Sequence, residues 1–167
     1  MYTSDLENKL IFPDIADQMQ QYVSIQQDID DTKVKAASLI AQSIDIERVI
    51  GEDNLSRVVI SEDNPTIEGE DLKLKQLLVA PLCYYTYSRL LISFHGSYTD
   101  SGYENDQLAA QRNEAKSVSK EMKGVAESFM VKVIDFLEKE NPSEQIDSKK
   151  LTPRIRVFGG KETRSSN

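Results

Sequence analysis

The chain has 167 residues and a formal charge of −8, with 39% hydrophobic and 29% charged residues and a mean hydropathy of −0.47. One domain with a real core fits that length, but the apolar share is low for a compact monomer, so either part of the chain is extended or a partner completes the core. A single cysteine, Cys83, excludes an intramolecular disulfide. The start Met1–Asp5 has no basic or apolar leader pattern, and no apolar run approaches the ~20 residues of a membrane-spanning helix, so the chain reads as a protein of a reducing cytoplasm.

Residues 1–27 are weakly patterned and read as an N-terminal extension. Leu6, Leu10, Ile11 and Phe12 precede Pro13, which restricts the residue before it and marks a break. Ile15, Met19, Tyr22 and Val23 then recur at helical spacing. The central domain is expected over 28–140. Asp30 and Asp31 suit the start of a helix Thr32–Ser43, where a carboxylate accepts from free N–H groups and meets the positive end of the helix dipole. Val34, Ala37, Leu39, Ile40 and Ala41 supply its apolar positions, and Ile44, Ile46, Val49 and Ile50 continue toward a stop at Gly51. A further short helix is expected over Asn54–Ile60. Residues 61–71 then form a polar, turn-rich loop, the most acidic stretch of the chain, in which Glu62, Asp63, Glu68, Glu70 and Asp71 make an acidic surface.

The first long helix is expected from about Gly69 to Phe94. Leu74, Leu77, Leu78, Leu82, Tyr85, Leu90, Leu91 and Phe94 form its buried face, and Pro81 inside the run predicts a kink or a break. Cys83–Tyr87 is aromatic on more than one side, which is the pattern of a helix buried on most sides. His95–Tyr103 holds two glycines and small polar residues and reads as a loop. The longest helix follows, from about Asn105 to Glu140, with a near-heptad stripe of Leu108, Ala115, Val118, Met122, Val125, Phe129, Val133 and Phe136. Two such helices joined by a short loop make a long αα-hairpin. The fold class is therefore all-α: a helical bundle with a kinked Tyr-rich helix and, over 141–167, an extended basic tail.

That tail holds six cations, Lys149, Lys150, Arg154, Arg156, Lys161 and Arg164, against three acids, a local +3 that leaves −11 for residues 1–140. Within it Arg154, Ile155, Arg156, Val157 and Phe158 alternate as in a short β segment, which must pair elsewhere because a lone strand gains nothing. Pairing onto the acidic body of a neighbouring subunit satisfies both strand and charge; a solvated tail without a partner is the alternative.

Chemistry is not legible in the pattern. His95 is the sole histidine and stands in no triad or Cys-His motif. There is no Cys/His zinc cluster, no phosphate-binding Gly loop, and no calcium loop at Asp28, Asp30 and Asp31. Catalytic, metal and cofactor sites are expected to be none. Tyr84, Tyr85 and Tyr87 lack surrounding cations and read as packing rather than base stacking.

Three stretches carry a resemblance. Pro81-Leu82-Cys83-Tyr84-Tyr85-Thr86-Tyr87-Ser88-Arg89-Leu90-Leu91 leads through the Gly-rich loop Gly96–Asn105 into a helix opening Gln107-Leu108-Ala109-Ala110-Gln111-Arg112-Asn113-Glu114-Ala115. Upstream, Lys35–Ile46 and Val49–Leu55 fit as a first core helix and its turn. Over about residues 28–140 the chain resembles the head–tail connector (adaptor or ring) proteins of tailed bacteriophages, including those of crAss-like phages. The resemblance implies a non-enzymatic structural virion protein at the neck, assembled in the host cytoplasm. It implies about a dozen copies in a closed ring against the portal protein and adjacent tail or connector rings, with DNA passing through the channel unread. Arg154–Phe158 would then contact the neighbouring subunit, Ser97, Tyr98 and Tyr103 another ring, and the acidic set the lumen or a basic tail. The alternative is a small acidic helical regulator or inhibitor that binds a basic protein.

Overall fold

The computed structural model describes residues 9–23, 29–61, 65–95 and 106–140. It is an all-α helical bundle: α1 (Ile15–Gln20), α2 (Asp31–Ala41), a π-helical turn (Gln42–Ile46), α3 (Glu47–Ile50), α4 (Glu52–Val58), α5 (Gly69–His95) and α6 (Asp106–Glu140). No strand occurs among the described residues. The extended tail 141–167, with its expected β segment, lies outside them.

Helix α5 is the axis of the bundle. Leu74, Leu78, Leu82, Cys83, Tyr85 and Leu90 are all at most 3% exposed, and α1, α2, α4 and α6 each pack against it. Burying each of its four leucines favours the folded state by roughly 1.5–3 kcal/mol. The helix runs on through Pro81, which is itself buried; the proline removes one donor, but the packing on either side holds the helical path. The expected break at Pro81 therefore does not occur.

The most extensive contact joins α5 to α6. Ser88 meets Ser119 along it, while Asp71 and Glu140, near opposite chain ends of the two helices, share Arg57, so the pair runs antiparallel. The face of α6 that lies deepest differs from the heptad stripe read in the sequence. Ala115 and Val133 are buried as expected, but Val118, Met122, Val125, Phe129 and Phe136 are half-buried. Ser119, Ala126, Met130, Ile134 and Leu137 lie deepest instead. Ser119, whose small side chain meets Ser88 at 2.8 Å, lets the two helices approach there, and the apolar row beside it is left half-buried. The Phe94 and Leu108 side chains lie outside the description.

Helix α2 starts as its sequence predicts: the Asp30 carboxylate accepts from the Thr32 N–H at 2.9 Å, and Asp31 pairs with Lys35 one turn on at 2.8 Å. Gly51 (φ 84°) separates α3 from α4, a conformation that costs a side-chain-bearing residue strain. α4 begins two residues earlier than expected, at Glu52. The buried face of α2 and the following turn is Val34, Ala37, Ala41, Ile46, Val49 and Ile50, but Ile40 and Ile44 are 48% and 51% exposed. Each falls beside the inward row, so the apolar residues of this segment cover more of the helix than the core occupies.

The described part of the N-terminal segment belongs to the same core. Leu10, Ile11, Ile15 and Met19 are at most 1% exposed. Gln42, at the start of the π turn and 4% exposed, holds that segment by both ends of its amide. Its Oε1 accepts from the Ile11 N–H at 2.9 Å and its Nε2 donates to the Lys9 carbonyl at 2.8 Å. One side chain thus satisfies backbone groups that no helix reaches. Gln42→Leu strands a buried donor and acceptor, and is expected to lower unfolding free energy by about 1–3 kcal/mol in urea titration without loss of helical circular dichroism.

Candidate functional site

Of the residues that sequence alone marked as interfacial, few fall where side chains are described. Arg154, Ile155, Arg156, Val157 and Phe158, the loop residues Ser97, Tyr98 and Tyr103, and Glu62 and Asp63 all lie outside the described residues. Glu68 is exposed just before α5. Glu70 pairs with Lys73 at 2.7 Å on the exposed first turn of α5. Asp71 turns to Arg57 and is partly withdrawn from solvent, so the three described acids do not share one environment.

Arg57 on α4 closes one end of the bundle. Its Nε donates to Asp71 Oδ1 at 2.7 Å, its Nη1 to Asn54 Oδ1 at 2.9 Å, and Nη1 and Nη2 together to both carboxylate oxygens of Glu140. The planar fork matches the Glu140 carboxylate and ties α4, the start of α5 and the end of α6. The hydrogen bond to Glu140 does most to hold the guanidinium charged, against the opposing effect of burial. Ile60 (47% exposed) follows Arg57 by three residues, and Leu72 (42% exposed) follows Asp71 directly in the chain.

A second ionic cluster sits toward the opposite end. Asp45, in the π turn and 7% exposed, accepts from Arg89 of α5 through Nε at 3.0 Å and through Nη2, and meets Lys123 Nζ of α6 at 3.4 Å. Among the described residues it is the sole acid lining a groove of roughly 270 Å³ that also receives Lys116, Lys120 and Lys123. These three lysines recur four and three residues apart, so they rise along one face of α6. A neighbouring groove of roughly 530 Å³ shares Arg89 and Ile92 with the first and is walled by Lys33 and Ile40. Ile92 is 52% exposed. The two grooves adjoin at Arg89 and Ile92, with Ile40 and Lys33 on one side and the three lysines of α6 on the other, on a chain whose net charge is −8.

The aromatic cluster of α5 is used for packing. Tyr84 stacks on Phe129 of α6 (5.8 Å, 14°) and meets Tyr22 edge-on at 6.2 Å. Burial, with a smaller contribution from Asp14, pushes the Cys83 thiol up from 9.0 to about 12, so no thiolate forms near neutral pH. Burial likewise raises Tyr85 above the ordinary phenol range. Among the described residues no group of three or more His, Cys, Asp or Glu is placed to hold a metal ion. No described helix is long and apolar enough to cross a membrane.

Sequence reasoning missed both ionic clusters and the exposed isoleucines. Arg57, Asp71 and Glu140 are far apart in sequence, and their meeting is set by tertiary packing. The signals that were present are Arg89 as the lone charge in the stretch Leu77–Phe94, and a lone Asp45 between Ile44 and Ile46.

Residues 46–154 match the model of a family of unknown function, DUF6712, which covers more than half of the chain. No curated protein and no solved structure matches.

Asp45→Ala leaves the Arg89 and Lys123 cations facing each other without their carboxylate. It is expected to cost about 1–3 kcal/mol at low salt, and adding Arg89→Leu is expected to restore part of that loss in a double-mutant cycle followed by urea unfolding.

Proposed function

This chain belongs to the DUF6712 family of unknown function, and we propose that it is a structural subunit of the head-to-tail connector of a tailed bacteriophage, forming a homo-oligomeric ring between portal and tail. The observation that carries the reading is the grouping of Ile40 and Ile92 on one face, with Ile44 one turn further along the helix. Half-exposed isoleucines bordered by lysines, on an otherwise acidic body, are the surface of a subunit completed by another chain.

The stretches that carry the resemblance to connector proteins supply the other support. Pro81–Leu91 belongs to the buried axis α5, and Gln107–Ala115 opens α6. In this reading Gly96–Asn105 closes α5 and α6 into an αα-hairpin, bent at Pro81, and its Ser97, Tyr98 and Tyr103 meet the next ring. The central domain spans 28–140, the N-terminal segment packs onto it through Ile11, Ile15 and Met19, and the basic tail lays Arg154–Phe158 against a neighbouring subunit as an added strand. Its partners are further copies of itself, the portal protein and adjacent connector or tail rings. The assembled acidic bodies surround DNA without gripping phosphate, since like charge repels it. The protein acts in the virion neck, without catalysis or cofactor.

Electron microscopy of the purified chain, alone and mixed with neighbouring virion proteins, is expected to show closed rings. Removing residues 150–167 is expected to preserve helical circular dichroism while lowering the assembled fraction. A truncated chain that unfolds, or a full-length chain that joins no virion component, contradicts the reading.

A further inference from the structure

Among the described elements, α6 makes its extensive contact with α5 alone. On the outer face of α6, Lys116, Lys120 and Lys123 are exposed. Further along the same face Val131 (45% exposed), Asp135 and Glu138 are exposed, and Glu127 is half-buried. Consecutive members of this row are three or four residues apart, so they share one side of the helix over about 33 Å. The row is divided by charge, with three lysines in its first half and three carboxylates in its second. The helix does not neutralise the ends of the row. No acid stands three or four positions from Lys116 or Lys120, and no cation stands so placed around Glu138. Lys123 lies 3.4 Å from Asp45 of its own subunit, which leaves Lys116 and Lys120 as the open charges of the first half.

Gly124 stands at the boundary between the halves and is exposed. A glycine inside a helix makes that helix less stable than alanine does. An added Cβ at this position meets nothing within 4 Å outside its own stretch of helix, so packing within the subunit does not require the glycine.

We propose that this face is a twofold contact, in which α6 of one copy lies antiparallel on α6 of a second copy of this chain and crosses it at Gly124. With the crossing between Gly124 and Ala126, Lys123 lies opposite the second copy's Glu127. Lys116 falls within a turn of the second copy's Asp135 and Glu138, and its Val131 comes under the methylene stem of Lys120. Each contact is made twice, because one surface meets itself. The bare backbone at Gly124 lets the two helices approach closely where they cross.

The divided charge selects this occupant. Nucleic acid meets three carboxylates on the second half, and a basic protein meets three lysines on the first. A face with the same division run in reverse satisfies both halves, and the chain carries that face itself. The inference goes beyond the ring reading and does not rest on it. A ring of like-oriented copies is joined through two different surfaces, whereas this contact uses one surface twice, so it pairs subunits that are not neighbours within one ring.

The test uses full-length variants at exposed positions, followed by native mass spectrometry and light scattering at low salt. As concentration rises, the first associated species of the parent is expected to be a pair of 18.9 kDa chains. Lys116→Glu with Lys120→Glu, and Asp135→Lys with Glu138→Lys, each place like charges across the contact, and each double variant alone is expected to pair roughly tenfold more weakly. Mixed together, the two double variants set opposite charges across both ends, and their mixed pair is expected to form as readily as the parent's. Gly124→Leu holds the crossing apart and is expected to abolish pairing. Below the onset of pairing its thermal midpoint is expected to be no lower than the parent's, since leucine is the better helix former. Circular dichroism is expected to match the parent for every variant. A parent that stays at 18.9 kDa at every concentration, or whose smallest associated species exceeds two chains, overturns the inference. So does a pair undiminished by Gly124→Leu or by either charge reversal. Microscopy of mixtures with virion proteins decides the connector reading separately.

Discussion

The structure depends on the burial of α5 around most of its circumference. With leucines at 74, 78, 82 and 90 and Cys83 and Tyr85 between them, every residue of this helix from Leu77 to Leu90 is buried or half-buried. The other described elements are its cover: α6 along the longest contact, α2 and the π turn along another side, α1 and α4 over the remainder. This is a different arrangement from a bundle of equivalent amphipathic helices, in which each contributes one stripe. It also explains how Pro81 is tolerated. The proline deletes one hydrogen bond, but the apolar contacts on every side keep the chain on its path.

The need to cover α5 also determines what the surface looks like. The chain is only 39% hydrophobic, and much of that is committed to the axis. Polar side chains therefore enter the interior where aliphatic ones do not suffice, and most of them are satisfied: Gln42 by backbone groups of Lys9 and Ile11, Ser88 and Ser119 by each other, Asp45 by Arg89. Against that economy, half-exposed isoleucines at 40, 44, 60 and 92 are costly to leave in water.

Periodicity made the helices legible from the sequence, and it did so where the local signal was strong. Asp30 as a cap, Gly51 as a stop, and the two long helices with their ends within a few residues all follow from patterns of four or five neighbours. The aromatic run at Tyr84–Tyr87 correctly signalled burial on several sides. The phase of α6 differs because two rows lie side by side: Val118, Met122, Val125 and Phe129 carry the heptad spacing, but Ser119, Ala126, Met130, Ile134 and Leu137 are the buried row. The site was illegible for a related reason. Arg57, Asp71 and Glu140, like Asp45, Arg89 and Lys123, are brought together only by the crossing of helices, and no spacing rule anticipates them. Conversely, the loop Ser97–Tyr103, marked by the connector resemblance, and the tail Arg154–Phe158, marked by its apolar alternation, lie outside the described residues.

The most direct measurement is chemical cross-linking from a single engineered thiol. Cys83 is buried with its thiol pushed up to about 12, so a cysteine introduced at an exposed position is the reactive one. A full-length chain carrying Ile92→Cys is labelled with a benzophenone maleimide, irradiated alone and with neighbouring virion proteins, and the products are resolved by mass. The connector reading predicts adducts between copies of this chain or with a virion protein. A chain that stays uncoupled in every mixture contradicts the account.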